Sequence, residues 1–296
     1  MDDGRAKRIS IEGTELQATI SSLGAELVSL RDSAGLDYLW NGDPAWWPGH
    51  APILFPIVGE VRGNAIRVDG KRYPIGRHGF ARGSTFEVVK AERTQCRFRL
   101  RANDQTRAHY PFEFELNVDY EVVGRRLSLR TEVLNGGKDA MPVSLGFHPA
   151  FRWPLVPGVP KEAYAITFDE PENRPIRRLA SALLSSDPIP SPVHDRTLAL
   201  KDALFVDDAL IFDRLSSRRV TYGASTGPSI EVRFDGMPYL GIWSKPGAGF
   251  VCIEPWQGFA SPEGFDGELK DKPGIVLVPA GTTRRFDISI GVSRTS

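Results

Sequence analysis

Cysteine is scarce in this sequence, which excludes several classes of protein. Only Cys96 and Cys252 occur among 296 residues, far apart and each inside a strand-like run. This usage does not fit a disulfide-rich secreted domain, and it has no paired spacing typical of a zinc site. We therefore expect two buried thiols in a reducing compartment.

Charge of one sign is also lacking, because 37 lysines and arginines balance 37 aspartates and glutamates. A neutral chain has no overall field that would draw it onto nucleic acid or an anionic membrane. No apolar run is long enough to span a bilayer, and the stretch from Met1 to Arg8 lacks the apolar core of a signal peptide. We expect a cytoplasmic protein with a small, uncharged partner, monomeric by default and with a dimer left open.

A long amphipathic helical period is missing as well, whereas strand-like alternation is widespread. Cys96–Arg101 and Phe112–Val122 alternate apolar with polar residues, as a sheet with one buried face requires. Arg126–Val133 repeats this alternation after the turn signal at Gly124, which predicts an antiparallel meander. Further strands are predicted at Leu16–Ile20, Glu26–Leu30, Val143–Phe147, Ala165–Phe168, Arg219–Tyr222, Ile230–Phe234, Gly241–Trp243, Phe250–Glu254, Gly274–Val278 and Arg284–Ile290.

The turn residues agree with this all-β class, since 29 glycines and 23 prolines supply many chain reversals. The stretch from Pro154 to Pro192 is rich in proline and serine, and we assign it mostly to surface loop. Strand patterning resumes after it in the same style. The sequence therefore predicts a single domain over residues 1–296.

His148 follows a strand-like stretch in which Val143, Leu145 and Phe147 face one side and Ser144, Gly146 and His148 the other. Pro149 ends the pairing, so the imidazole is expected at a strand end on the floor of a cleft. A core or edge histidine bonded to a backbone carbonyl is the alternative that this window leaves open.

Glu254 ends an apolar strand, on the same face as Phe250 and Cys252. A carboxylate in such a strand is costly unless it is paired or faces a cleft, and partial burial would raise its pKa and strengthen it as a base. The alternative is a strand-end glutamate that points to water before Pro255.

His78 and Asp208 are two further candidates. His78 lies between Gly76 and Gly79 in a loop that could wrap a ligand, although a plain turn histidine fits the same residues. Asp208 is embedded in apolar sequence, where capping or turn formation is its ordinary role.

Aromatic residues in turn regions offer faces that suit sugar rings, although such residues also close the ends of a core. The tryptophans expected there are Trp40, Trp46, Trp47 and Trp256. The sequence contains no glycine-rich phosphate loop, no serine nucleophile elbow and no clustered metal-ligand spacing, so no metal or other cofactor is expected.

Five motifs in order give the chain a resemblance to the aldose 1-epimerase (galactose mutarotase-like) superfamily, and to a bacterial branch of it. They are Leu54-Phe55-Pro56-Ile57-Val58-Gly59, His78-Gly79-Phe80-Ala81-Arg82, Gly146-Phe147-His148-Pro149, Asp208-Ala209-Leu210-Ile211-Phe212 and Cys252-Ile253-Glu254-Pro255-Trp256. Each motif alone is weakly specific, but together they cover nearly the whole chain.

The resemblance implies a β-supersandwich and the interconversion of sugar anomers without a cofactor. It implies that Glu254 is the general base on the anomeric hydroxyl and that His148 is the general acid on the ring oxygen. His78 and Asp208 would bind the sugar, together with Arg82 and Trp256. In the family an arginine follows the glycine equivalent to Gly59, whereas this chain has Glu60 there, so Arg62 is expected to substitute for that arginine. Which of Asp207 and Asp208 is the sugar-binding acid stays open by one position.

Three other interpretations remain open at this point. A sugar-binding protein of the same fold could have lost catalysis, since a fold identifies a site more securely than a rate. Arg72, Arg77 and Arg82 would admit a hexose 6-phosphate, because guanidinium groups bind phosphate in a bidentate manner. A metal-dependent hydrolase could use His78, His148 and Glu254 as ligands.

Overall fold

The computed structural model describes residues 6–294. Residues 1–5, which belong to the stretch from Met1 to Arg8 discussed above, lie outside the described part. In chain order, the first twelve strands are β1 (Arg8–Glu12), β2 (Leu16–Ser21), β3 (Glu26–Asp32), β4 (Ile53–Leu54), β5 (Ala65–Val68), β6 (Lys71–Pro74), β7 (Glu87–Ala91), β8 (Gln95–Arg101), β9 (Phe114–Val123), β10 (Arg126–Asn135), β11 (Met141–Val143) and β12 (Leu145–Phe147). The second twelve are β13 (Ala150–Arg152), β14 (Tyr164–Phe168), β15 (Leu179–Ala180), β16 (Leu183–Leu184), β17 (Thr197–Ala199), β18 (Leu210–Phe212), β19 (Arg219–Ala224), β20 (Pro228–Arg233), β21 (Tyr239–Trp243), β22 (Phe250–Gln257), β23 (Val276–Val278) and β24 (Thr283–Arg294).

Helices are few and short. One α-helix, α1, spans Asp104–Arg107, and its N-terminus is capped by Asn103, whose side chain accepts a hydrogen bond from the Thr106 amide. The five 3₁₀ helices are Arg62–Asn64, Ala81–Gly83, Lys161–Ala163, Asp202–Phe205 and Leu269–Asp271. Strands make up 47% of the chain and helices 7%, so the predicted all-β class is confirmed.

Two large antiparallel sheets dominate the architecture. The first has nine strands in the order β17-β14-β19-β20-β24-β10-β9-β8-β7. The second has the path β18-β21-β22-β12-β4, with β13 also paired to β22. A three-stranded sheet of β1, β2 and β3 and three two-stranded ladders complete the fold, and the supersandwich predicted from the resemblance is confirmed.

The predicted meander forms the centre of the nine-stranded sheet. In β9, Leu116, Val118, Tyr120 and Val122 are buried, and the residues between them are mostly less buried. Arg97 and Asp119 form an ion pair across β8 and β9, with Nε and Oδ1 2.6 Å apart. Apolar burial on one face and cross-strand charge pairs on the other explain why period-two alternation located these strands correctly.

Two predicted strands near the site differ in extent from the structure. The stretch Val143–Phe147 is interrupted at Ser144, because β11 pairs with β23 whereas β12 pairs with β4 and β22. The strand predicted at Phe250–Glu254 continues through Pro255 to Gln257 and is buried over its whole length. Glu254 is therefore inside a strand, and so is Trp256, which the sequence had placed beside a turn.

The segment between Pro154 and Pro192 is mostly irregular, as expected, and includes β14, where a strand was predicted at Ala165–Phe168. The short strands β15 and β16 in the same segment were not predicted. Both cysteines are free and buried, as expected. Among residues 6–294, no helix is long and apolar enough to cross a membrane. The single domain and the monomeric state stay predictions.

Candidate active site

A cleft of about 840 Å³ opens over the second sheet and brings together residues that are remote in the chain. A concave site lined by aromatic side chains and a few polar groups is typical of small-molecule binding. Six of the seven predicted site residues line it: His78, Arg82, His148, Asp208, Glu254 and Trp256. We refer to this space as the cleft.

Trp256 lies over glycines of the two neighbouring strands. Gly146 of β12 pairs with Trp256, and a Cβ added there would meet the indole at 2.7 Å. On the other side, a Cβ added to Gly241 of β21 would lie 2.3 Å from the same ring. Gly146 and Gly241 therefore make room for the indole of Trp256.

Glu254 lies on β22, paired with Gly241 of β21, and only 2% of its surface is exposed. Burial raises its pKa well above the ordinary value, and the negative charge of Asp208 adds to this effect. The water-facing alternative for Glu254 is wrong, because the strand does not end there.

His148 follows β12, and its amide donates a hydrogen bond to the Pro52 carbonyl at 3.1 Å. Its Nε2 lies 3.2 Å from Oε2 of Glu254, and its side chain is 10% exposed. Burial lowers the pKa of His148 to about 3, and the positive charge of Arg82 acts in the same direction.

The His148–Glu254 pair is best described as one unit that holds one proton. Burial disfavours charge on both groups, so the neutral pair is favoured when the cleft is empty. At 3.2 Å the proton can lie on either partner, and the two groups titrate together rather than separately. While it holds one proton, the unit offers one acid and one base.

Aromatic rings fix the plane of the His148 imidazole. Trp47 stacks on it with ring centroids 4.9 Å apart and an interplanar angle of 22°. Trp243 meets the imidazole edge-on at 5.9 Å, and Trp47 and Trp243 also contact each other. The Trp47 carbonyl accepts a hydrogen bond from Trp40 Nε1 at 2.8 Å, which anchors the loop that carries the stacking ring.

His78 reaches the cleft from a loop with unusual backbone geometry, since His78 and Gly79 have φ of 67° and 71°. A Cβ on Gly79 would lie 2.2 Å from the Phe55 carbonyl oxygen, which explains the glycine there. The Gly59 amide donates to Nδ1 of His78 at 3.1 Å. Burial and the charge of His148 lower the pKa of His78 well below its ordinary value, so the ring is neutral with its proton on Nε2.

Asp208, and not Asp207, lines the cleft. Its φ is 67°, and its Oδ1 accepts a hydrogen bond from the Ala209 amide at 2.8 Å. Arg178 donates to the Asp208 carbonyl at 2.6 Å and so anchors the same turn. Asp207 is exposed and does not line the cleft.

The arginines divide between two places. Arg62 lies outside the cleft, because its guanidinium donates to the Glu263 carbonyl and lines a neighbouring small cavity together with Arg72. The structure thus contradicts the expected sugar contact of Arg62. Arg82 lines the cleft and donates to the Arg77 carbonyl at 3.0 Å, and Arg77 lies beside it with its Nη2 3.2 Å from Oε2 of Glu60.

Sequence reasoning did not name Glu60 or Trp243 as site residues, although both line the cleft. Arg77 and Trp47 also line it, and the sequence had named Arg77 only as a possible phosphate ligand. Trp47 could be found only as one of several tryptophans in turns. The sequence suggested His78, His148 and Glu254 as a possible set of metal ligands. In the structure, the side chains close enough to share a metal ion are instead His148, Cys252 and Glu254.

Comparisons with known proteins agree with this fold. Residues 7–268 match the profile of the Aldose 1-epimerase family. Protein LacX (plasmid) of Lactococcus lactis subsp. lactis is 34% identical over 295 residues, covering 95% of this chain and 99% of LacX.

Solved structures give the same result. The galactose mutarotase related enzyme of Lactobacillus acidophilus superposes with a TM-score of 0.92 at 32% identity, covering 98% of both chains. A galactose mutarotase-like protein of Lactobacillus casei gives 0.89 at 30% identity, covering 97% of this chain and 100% of that one. With a family profile that spans most of its length, the chain belongs to the aldose 1-epimerase family.

Proposed function

We propose that this protein is an aldose 1-epimerase that interconverts the α and β anomers of a hexose or a related sugar. The observation that carries the proposal is the approach of His148 and Glu254 to 3.2 Å on the floor of a sugar-sized cleft. Mutarotation removes a proton from one oxygen and adds one to another, so a pair that holds a single proton provides what the reaction needs.

In the proposed mechanism, Glu254 takes the proton of the anomeric hydroxyl while His148 donates a proton to the ring oxygen. The bond between the anomeric carbon and the ring oxygen breaks, and the open aldehyde forms. Rotation about the bond between the first two carbons presents the other carbonyl face, and the steps then run in reverse. The proton reaches His148 from Glu254 within the pair before the sugar reacts, and the Trp47 ring stabilises the imidazolium by a cation–π contact.

The other residues of the cleft are assigned to binding. His78 has its Nε2 proton free to donate to a sugar hydroxyl, because the Gly59 amide occupies Nδ1. The Asp208 carboxylate accepts from ring hydroxyls. Trp256, Trp243 and Trp47 offer aromatic surface to the apolar faces of a pyranose.

A hexose 6-phosphate is a second candidate substrate, and Arg82 favours it. The Arg82 guanidinium lines the cleft, and no ion pair with a carboxylate forms there within residues 6–294. A guanidinium without a carboxylate partner is well suited to a phosphate. Arg72 no longer supports this candidate, because it lies at the other cavity.

The test is anomer exchange measured by NMR with glucose, galactose and their 6-phosphates, for the unmodified protein and for Glu254→Gln and His148→Asn. General acid or base catalysis contributes roughly 10²- to 10⁴-fold, so each variant should approach the spontaneous rate. Retained sugar binding, followed by saturation transfer in the same samples, controls for folding. Full exchange in either variant would remove the assignment, and binding without exchange in the unmodified protein would select a non-catalytic sugar-binding protein.

A further inference from the structure

Three potential metal ligands of different chemistry meet at the cleft floor. An imidazole nitrogen of His148, Sγ of Cys252 and a carboxylate oxygen of Glu254 all lie within 4.8 Å of one another. Cys252 and Glu254 are two residues apart on β22, so their side chains leave the strand on the same face. Cys252 is completely buried and has no role in the sugar chemistry proposed above.

The donor set selects a class of metal. Thiolate, imidazole and carboxylate together are ligands of zinc and similar borderline ions, whereas magnesium and calcium prefer oxygen alone. Metal–ligand bonds of about 2.0 to 2.3 Å place the ligand atoms of a tetrahedral zinc site roughly 3.5 Å apart. His148 and Glu254 already meet this spacing at 3.2 Å, so only the thiol needs to approach, by at most roughly 1.3 Å.

Two further observations favour a cation here. Nδ1 of His148 is buried and has no hydrogen-bond partner among residues 6–294, so the second ring nitrogen of this ligand is not committed to another contact. The Asp208 carboxylate lines the same cleft as Glu254, so negative charge lies beside the three ligands. A divalent ion bound by His148, Cys252 and Glu254 would offset that charge.

We propose that His148, Cys252 and Glu254 form an inhibitory site for Zn²⁺ and similar thiophilic divalent ions. Binding forms bonds from the metal to sulfur, nitrogen and oxygen and releases the thiol and carboxyl protons to solvent, with no change of oxidation state. The ion occupies the acid and the base of the cleft, so the sugar and the metal compete. The inhibition rests on the proposed function, whereas the metal binding does not.

The test uses Cd²⁺ and Zn²⁺ with protein freed of metal by a chelator. Cd²⁺ should produce the ultraviolet charge-transfer absorption of a cadmium–thiolate bond, and Zn²⁺ should abolish that absorption by competition. In Cys252→Ala the absorption should vanish and Zn²⁺ binding by calorimetry should weaken at least about tenfold. Cys96→Ala is the matched control, because Cys96 is the other buried thiol and should leave both signals unchanged.

Mg²⁺ and Ca²⁺ should neither bind nor inhibit. Inhibition is expressed for each variant as the ratio of rates with and without Zn²⁺, so a change in basal rate does not affect the comparison. The proposal is overturned if Cys252→Ala binds Zn²⁺ as tightly as the unmodified protein, or if Cys96→Ala removes the absorption. His148→Asn gives a second variant, in which Cd²⁺ should bind more weakly. Absorption that depends on Cys252 in a protein without mutarotase activity would support the metal site while refuting the proposed function.

Discussion

Gly59 and His78 are joined by two hydrogen bonds that run in opposite directions. The His78 amide donates to the Gly59 carbonyl at 2.8 Å, and the Gly59 amide donates to Nδ1 of the His78 ring at 3.1 Å. The first bond fixes the loop, and the second fixes which ring nitrogen carries the proton. The donor that His78 presents to the cleft is thus set by a backbone group of another motif.

Gly59→Ala should disrupt this arrangement. The residue has φ of 73°, and its new Cβ would lie 2.6 Å from Cα of Ala260, so the backbone must shift. We expect a loss of more than about 1 kcal/mol in the free energy of unfolding, together with weaker sugar binding. Denaturant titration and saturation-transfer NMR measure the two effects. Gly76→Ala is the control, because a Cβ there meets no atom within 4 Å, and equal stability of both variants would contradict the prediction.

The pH profile of anomer exchange should be unusually broad. The active His148–Glu254 pair holds one proton. Activity therefore falls in acid only when the pair gains a second proton, on His148, and in alkali only when the pair loses its remaining proton, from Glu254. Burial lowers the pKa of His148 and raises that of Glu254, which moves the two limits apart. Activity at about pH 5, below the ordinary pKa of histidine, should therefore remain near its neutral value. A steep loss between about pH 7 and 6 would count against this account.

Asp208→Asn should shift the alkaline limit to lower pH. The Asp208 charge raises the pKa of Glu254, so its removal lets Glu254 ionise more readily. Sugar affinity should also fall about tenfold through the loss of an acceptor for ring hydroxyls, or about 1.4 kcal/mol. Asp207→Asn is a matched control one residue away and outside the cleft. Equal effects of the two changes would rule out a specific role for Asp208.

Trp47→Leu should lower the turnover number by about 3- to 30-fold, since cation–π contacts are worth roughly 0.5 to 2 kcal/mol. The stacking ring is lost, and with it the support of the His148 imidazolium. Trp46→Leu controls for surface changes in the same loop, because Trp46 is exposed and its ring lies 5.7 Å from Nζ of Lys245. A change confined to the Michaelis constant would indicate that Trp47 acts only in binding.

Lys272 should make the protein more stable as the pH rises from about 7 to 9. Burial lowers its pKa to about 7, and its ammonium donates to the carbonyls of Phe259 and Pro273 without a carboxylate partner within residues 6–294. The unfolded chain binds the proton more tightly across this range, so the free energy of unfolding increases with pH. Lys272→Met should abolish this slope in denaturant titrations. An unchanged slope in the variant would show that Lys272 is not its cause.

Much of the fold was predictable because the responsible signals are local. Seven strands of the nine-stranded sheet were predicted, most with bounds correct to within a few residues, because a buried and an exposed face alternate along them. The two edge strands, β7 and β17, were not predicted. β22 was harder, because it is buried over its whole length and shows no alternation that would mark its end. Pro255 suggested that the strand ends there, but pairing with neighbouring strands extends it.

Site residues could be predicted from the sequence where they lie in a recognisable motif. They could not be predicted where their position depends on contacts between distant segments. His148, Glu254 and His78 were identified with their motifs, and all three line the cleft. The position of Arg62 depends on a hydrogen bond to the Glu263 carbonyl, 201 residues away, which no local pattern encodes. The stacking of Trp47 on His148 likewise joins residues about a hundred positions apart.

The cleft is lined by two kinds of segment, buried strands at its floor and connecting segments at its rim. Glu254 lies within a buried strand and His148 at the end of another, whereas His78 and Asp208 are carried by segments between strands. Grafting rim segments from one relative onto another should therefore retune which sugar is accepted while leaving the proton-transfer pair intact. For protein engineers, this architecture separates the choice of substrate from the chemistry performed on it.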